Sequence, residues 1–420
     1  MRLGSRLLFS AALVLAFLTS WILFPAPISL FLPLGVGAPE LSAWLALAGL
    51  VLCGLTVAVG GRDRWAGSAL VLAGVATVAA SAPFVQLPFV VQRFDSTMRA
   101  ALGDSFLGNL SPDRRAEMRP APVVVLDLFR GVSIGEARVA RGIVFAVPAG
   151  VRLTLDVHRP AAAGRYPAVV QIYGGAWQRG APADDDQYAT YLAAHGYTVF
   201  GIDYRHAPQW QWSAQIEDVR AALAWVREHA AEYDADPMQM AILGRSSGAQ
   251  LALVAAYEPR ALPVRAVVSY YGPVDLADGY RHPPVPDPLD VRSIEEAFLG
   301  GTPDSAAERY RDASPITYVS RAAPPSLLIY GGRDHVVLPR YGAMLDARLR
   351  EAGATSVFLE IPWAEHAFDR IASGPSGQLS LYYTERFLAW AMGKERRTRN
   401  SEPFTSEHRH CSVKGIITAS

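Results

Sequence analysis

An α/β architecture, a mostly parallel sheet with helices on both faces preceded by a helical transmembrane region, is predicted for this 420-residue chain. Three observations carry the prediction. From about residue 140 to about 393, strand-like and helix-like runs alternate, the pattern of parallel strands joined by crossover helices. Before that stretch lie three long segments without charge. Within it, Ser246 stands at a strand-to-helix turn between Gly244 and Gly248.

Between Leu7 and Gln92 the only charged residues are Glu40, Arg62, Asp63 and Arg64. The segments 7–24, 41–60 and 65–84 each approach the ~20 apolar residues that a helix needs to cross a bilayer. Residues 1–91 therefore read as a membrane region with three transmembrane helices, although a cleavable signal peptide would account for the first alone. Residues 25–39, rich in proline and glycine, read as a connection with an interfacial or re-entrant piece. Arg2 and Arg6 flank the first span and Arg62 and Arg64 precede the third, whereas the loop after the first span holds no lysine or arginine. The positive-inside rule then makes the N-terminus cytoplasmic, and three spans put the remainder of a multi-pass cell-membrane protein outside. One span more or fewer would reverse that side. In the connector at 92–139, segments 98–107 and 122–130 read as amphipathic helices lying on the membrane or on the following domain.

The rest of the composition excludes more than it assigns. Lysine and arginine balance aspartate and glutamate at 39 each, which offers no electrostatic case for nucleic acid. The hydrophobic share of 51% comes largely from the first quarter. Cys53 falls in an expected span and Cys411 in a polar tail, 394–420, expected to be disordered, so no disulfide is expected. No histidine and cysteine cluster has metal-ligand spacing, and no cofactor is expected.

The domain at 140–393 opens with two strand-like runs, 141–147 and 151–157, joined at Pro148-Ala149-Gly150 as a hairpin. A strand at 198–203, a helix from Ser213 to about 228, the turn at Ser246, a strand at 266–271 and two later strands continue the alternation. Ligands of such sheets bind at the carboxyl ends of the strands. Between 272 and 313 the rhythm breaks into a proline-rich stretch and a helix near 294–299, which reads as a cap that selects substrate.

Gly244-Arg245-Ser246-Ser247-Gly248 follows the apolar run Met240-Ala241-Ile242-Leu243 and leads into Ala249 to Ala256, the setting of a nucleophile elbow. A serine hydroxyl is a weak nucleophile at neutral pH, so it needs a histidine to take its proton and a carboxylate to orient that histidine. The strand-like run 325–330 ends in Gly331-Gly332-Arg333-Asp334, and the run 356–361 leads to Pro362-Trp363-Ala364-Glu365-His366. Asp334 and His366 are thus the candidate acid and base. Asp304 and Asp369 compete with Asp334, though neither directly follows an apolar strand, and His335 adjoins Asp334 but precedes the last strand. An oxyanion hole is also required, and Tyr173-Gly174-Gly175-Ala176-Trp177 after the run 167–172 can supply it. Gly175 and Ala176 would donate with Ser247, Gly174 making the turn. The plainer reading of Ser246 is a helix N-cap.

With these motifs in this order, residues 140–393 resemble the α/β-hydrolases of the esterase/lipase group, close to the hormone-sensitive-lipase-like and feruloyl-esterase-like carboxylesterases. Further similar stretches are Asp203-Tyr204-Arg205, Asp218 with Ala222-Leu223-Ala224-Trp225, and Ala313-Ser314-Pro315-Ile316. Tyr173 departs from the pattern, which usually has histidine there, and that departure bears on loop geometry. The resemblance implies a membrane-anchored serine hydrolase acting on small-molecule carboxylic esters, with a lipid bilayer as its surroundings. An acyltransferase or amidase using the same residues, and a non-catalytic hydrolase fold serving as a membrane sensor or binding module, are the alternatives.

Overall fold

The computed structural model describes residues 2–59, 63–108 and 110–393; the tail from residue 394, with Cys411, lies outside them. Four helices come first: α1 (Arg2–Ser20), α2 (Leu32–Glu40), α3 (Ser42–Val59) and α4 (Arg64–Leu102). Helices α1, α3 and α4 meet through small side chains. Ala12, Ala69, Ala73 and Ala76 are buried beside Leu15 and Leu52, and Gly49 lies so close to Thr77 that a side chain there would collide with it. Small residues of this kind let helix backbones approach closely. By length and composition α1 and α4 can each cross a membrane, and α2 with α3, bent by 77° at the break between them, adds a third crossing if the pair counts as one.

Helix α4 does not stop near residue 84. Pro83 and Pro88 lie inside it, and each removes a backbone hydrogen bond. The helix nevertheless continues because its last third is held by tertiary packing: Val90, Phe94 and Met98 are buried in the core of the following domain. Residues 98–102 therefore end α4 and do not start an amphipathic helix of their own. Two short helices follow, α5 (Pro112–Ala116) and α6 (Asp127–Arg130). Phe129 of α6 meets Trp44 of α3 edge to face, with ring centroids 5.1 Å apart.

The second part is an eight-stranded sheet. In chain order it contains β1 (Ala137–Ala146), β2 (Leu153–Pro160), β3 (Tyr166–Ile172), α7 (Asp186–Ala194), β4 (Thr198–Ile202), α8 (Ala214–His229), β5 (Ala235–Arg245), α9 (Ser247–Tyr257) and β6 (Ala266–Tyr270). After β6 come α10 (Leu276–Arg281), α11 (Val291–Leu299) and α12 (Ala307–Ala313), then β7 (Ser326–Gly331), α13 (Arg340–Glu351), β8 (Ser356–Ile361) and α14 (Pro375–Gly393). The strand order is β1-β2-β4-β3-β5-β6-β7-β8. Strand β2 runs antiparallel to β1 and β4, and every pairing from β4 to β8 is parallel. The hairpin between β1 and β2 turns at Ala149 and Gly150, both at positive φ. Strands β4 and β6 are buried along their whole length, which is why they read as continuous apolar runs and not as alternating ones.

Helices α10 to α12 make up the interruption between β6 and β7. They are fastened to the loop after β3 by Phe298 of α11, which stacks on Trp177 at 4.2 Å and 3°, and to the loop between β4 and α8 by the Trp212 N–H, which donates to the Phe298 carbonyl at 2.9 Å.

Candidate active site

Ser246 follows β5 with φ 51° and ψ −123°, and α9 starts at the next residue. Its glycine neighbours are required by contact. A side chain on Gly244 would run into the backbone of Gly248, and one on Gly248 would meet the carbonyls of Ile172 and Tyr173. The serine itself carries the strained backbone that projects its hydroxyl.

Three residues separated by up to 120 positions in the chain meet here. His366 Nε2 lies 3.0 Å from Ser246 Oγ, and His366 Nδ1 lies 2.8 Å from Asp334 Oδ2. The other oxygen of Asp334 accepts the N–H groups of Val336 and Val337, at 2.8 and 2.7 Å. With Nδ1–H donating to a carboxylate, Nε2 is left to accept from the serine, the tautomer that proton abstraction needs. Burial pushes the Asp334 carboxyl up from its ordinary value, while His366 and the Val337 N–H pull it back.

Neither rival acid is near His366 in this way. The Asp304 side chain is 93% exposed beside Arg281. Asp369 is engaged elsewhere: it accepts from Arg245 Nε at 2.5 Å and from the Tyr271 hydroxyl. His335 pairs with Glu365, Nδ1 to Oε2 at 2.8 Å.

The loop after β3 turns with Gly175 at φ 150°, Ala176 at 56° and Trp177 at 58°. A side chain on Gly174 would press on the Arg245 carbonyl at 2.8 Å, so this glycine lets the loop lie against the elbow. The N–H groups of Gly175, Ala176 and Ser247 have no acceptor among the described residues. Trp177 Nε1 donates to Gln250 on α9 at 2.9 Å, tying the loop to the helix behind the serine. At the position of the departure, the Tyr173 hydroxyl donates to Asp203 at 2.5 Å and lies 2.9 Å from His206 Nε2, and the ring stacks on Tyr204 at 4.6 Å. Burial, with Tyr204 and Asp203 beside it, raises the phenol, which stays protonated as a donor. The tyrosine anchors the loop.

Sequence reasoning missed the network behind the elbow. Arg245, only 3% exposed, pairs with Asp369 and with Asp185 (3.3 Å) and lies 4.2 Å over the Tyr188 ring. Tyr271, held by Asp369, packs its ring 4.5 Å from that of His366. The available signal was an arginine two residues after the apolar run Met240 to Leu243, which cannot be buried without acids; which acids was not legible.

A cavity of about 510 Å³ lies over Ser246 and His366. Its walls come from the Gly174–Trp177 loop, from the segment 273–294 and from Val336 to Leu338. Leu32 of α2 also lines it, as does Glu295 of α11. Glu295 is 3% exposed and its Oε2 has no hydrogen-bond partner among the described residues. Burial, with Asp275 adding to it, lifts this carboxyl well above the ordinary range.

Residues 155–349 match the BD-FAE family model. The chain is 33% identical over 239 residues to the probable carboxylic ester hydrolase LipM of Mycobacterium tuberculosis, covering 54% of each chain. It is 37% identical over 240 residues to esterase LipC of the same organism, covering 53% of this chain and 59% of that one. The chain thus spans about half the length of the curated relatives it matches. Among solved structures, Thermogutta terrifontis esterase 2 phosphonylated by sarin superposes with a TM-score of 0.50 at 24% identity, over 61% of this chain and 94% of that one, a likeness of fold. The sheet-bearing part of the chain is an α/β-hydrolase. Over that part it is similar to the BD-FAE family and to proteins named as esterases.

Proposed function

We propose that this chain is a membrane-anchored serine hydrolase that cleaves carboxylic esters through an acyl-enzyme, with Ser246 as nucleophile, His366 as general base and acid, and Asp334 orienting the histidine. The observation that carries the reading is the unbroken chain of hydrogen bonds from Asp334 through His366 to Ser246. Its resemblance to proteins named as esterases supports the same reaction.

In the reaction, His366 Nε2 takes the proton of Ser246 as Oγ attacks the ester carbonyl carbon. The oxyanion that forms rests on the N–H groups of Gly175, Ala176 and Ser247, each such donor contributing roughly 10²–10³ in rate. The carbon–oxygen bond to the alcohol then breaks and the alcohol departs with the proton from His366. Water, deprotonated by the same nitrogen, attacks the acyl-serine, and Ser246 recovers its proton as the acid is released. Ser246→Ala should abolish both hydrolysis of a short-chain p-nitrophenyl ester and labelling by a fluorophosphonate; labelling that survives the substitution would overturn the assignment.

The membrane part of the proposal is three crossings with the hydrolase on the outer side. It is supported by the apolar helices and by the arginines at the two ends expected to be cytoplasmic. A reporter active only outside the cytoplasm, fused after Gly103, should be active; silence there with an active cytoplasmic reporter would reverse the side.

A further inference from the structure

The segment between α1 and α3 does not hang free of the hydrolase. It lies against the edge of the sheet that carries Ser246. The Arg333 guanidinium, in the loop after β7, donates to the Leu23 carbonyl. Gly35 approaches Glu365, the neighbour of His366. Glu40, 3% exposed, accepts the N–H groups of Ser376 and Gly377 at the start of α14, at 2.9 and 3.4 Å. Arg93 of α4 donates to the Glu360 carbonyl at the end of β8, at 2.5 Å. Leu32 completes the arrangement as part of the cavity wall.

Under the membrane reading given above, these contacts place the bilayer surface beside the hydrolase. Helix α1 ends at Ser20 and α3 begins at Ser42, so residues 21–41 join the two at one face of the bilayer. Helix α4 starts from the opposite face, and about 20 residues at 1.5 Å each bring it across, after which it runs into the hydrolase core at Val90 and Phe94. The carboxyl edge of the sheet is therefore the edge that faces the bilayer. The segment there is apolar and uncovered: Phe24 is 63% exposed, Ile28 51% and Leu30 73%. On α6, which touches α3, Val125 and Leu126 just before the helix are 68% and 56% exposed.

We propose that the catalytic cavity opens at the bilayer surface, and that its substrates are esters with a long apolar chain dissolved in that bilayer, passing over Ile28 and Leu30 and past Leu32 to Ser246. This inference rests on the serine-esterase and membrane reading given above and adds to it the class of substrate and the route it takes. A cavity wall built partly from a membrane-side helix has a simple consequence: an apolar chain reaches it without leaving an apolar medium, so no exposure of the chain to water opposes transfer.

The test uses the full chain reconstituted in phosphatidylcholine vesicles. Two substrates are compared: a long-chain ester that does not exchange between vesicles, and water-soluble p-nitrophenyl acetate. The long-chain ester should be hydrolysed when it shares the enzyme's vesicle and spared when it sits in separate, enzyme-free vesicles. An Ile28→Asp/Leu30→Asp double variant should lower the ratio of long-chain to soluble turnover about tenfold, as expected when two apolar side chains at a membrane surface become charged. Hydrolysis of p-nitrophenyl acetate by that variant reports that it folds. Equal hydrolysis from both kinds of vesicle, or a ratio unmoved by the double variant, would overturn the route. Absence of turnover of either ester, with no labelling by a fluorophosphonate, would instead remove the esterase reading and this inference with it.

Discussion

At the carboxyl edge of the sheet Arg245 and Asp334 are 3% and 1% exposed, whereas along α4 Val71, Val75 and Val78 are between 62% and 74% exposed. The two regions place charge and hydrocarbon in opposite ways. Each follows from its solvent. The hydrolase is surrounded by water, so its apolar groups go inside, and the charges that chemistry needs are buried only with partners. The apolar helices present hydrocarbon outward, which lipid would not oppose if they span a bilayer as proposed, and they pack through alanine and glycine. One consequence concerns error: a lost partner is costly in the first region, and an added charge is costly in the second.

The comparison can be broken at several points, in decreasing order of effect. Asp334→Asn should leave the fold intact and lower kcat roughly 10⁴-fold, because the amide favours the wrong histidine tautomer; steady-state rates on a soluble ester measure it. Asp369→Ala leaves the buried guanidinium of Arg245 with Asp185 alone and frees Tyr271 beside His366. A loss of about 3–5 kcal/mol in stability is expected from breaking such a pair, read as a lower denaturation midpoint. Val75→Asp, on the exposed side of α4, should, under the membrane reading proposed above, cost about 2.5–3.5 kcal/mol in membrane insertion and shift the chain out of the membrane fraction, an effect that charge on a water-facing surface would not have.

Glu295 is the exception inside the hydrolase, a buried carboxyl without a partner for one oxygen. Its folded-state pKa is raised, so the stability it contributes is present in full below the unfolded value and is lost as pH rises through the folded one. The thermal midpoint of the parent should therefore fall with rising pH more steeply than that of Glu295→Gln, measured by calorimetry from about pH 5 to about pH 9. Equal slopes would remove Glu295 as a source of the pH dependence. The smallest effect belongs to an exposed pair: Glu308 and Arg311, 3.4 Å apart with side chains 80% and 61% exposed, should contribute about 0–1 kcal/mol, so Glu308→Ala should leave the denaturation midpoint nearly unchanged.

Much of the fold was legible because its signals are local. A buried parallel strand is a short apolar run, an elbow needs glycine on both sides of a strained serine, and a span needs some twenty uncharged residues. The order of Ser246, Asp334 and His366 along the chain followed from the same reading. Other features were not local. Pro83 and Pro88 would ordinarily end a helix, and α4 passes through both because Val90, Phe94 and Met98 are packed against a domain whose sheet begins some forty residues later. The tyrosine at 173 was legible as a departure, but its anchoring by Asp203 and His206 was not. Asp369 was legible only as a rival acid, and its place with Arg245 emerges when segments 124 residues apart meet.

The sequence by itself therefore determined the class of fold, the apolar helices and the residue types at the strand ends, since turn sterics, burial and bilayer thickness each act over a few to twenty residues. Tertiary structure alone decided which acids neutralise Arg245, how Tyr173 serves in place of histidine, and that Leu32 and Glu40 lie against the edge that carries Ser246. Those outcomes depend on contacts closed across as many as 337 residues, where which partner is met is set by the packing of the whole chain and no short-range pattern records it.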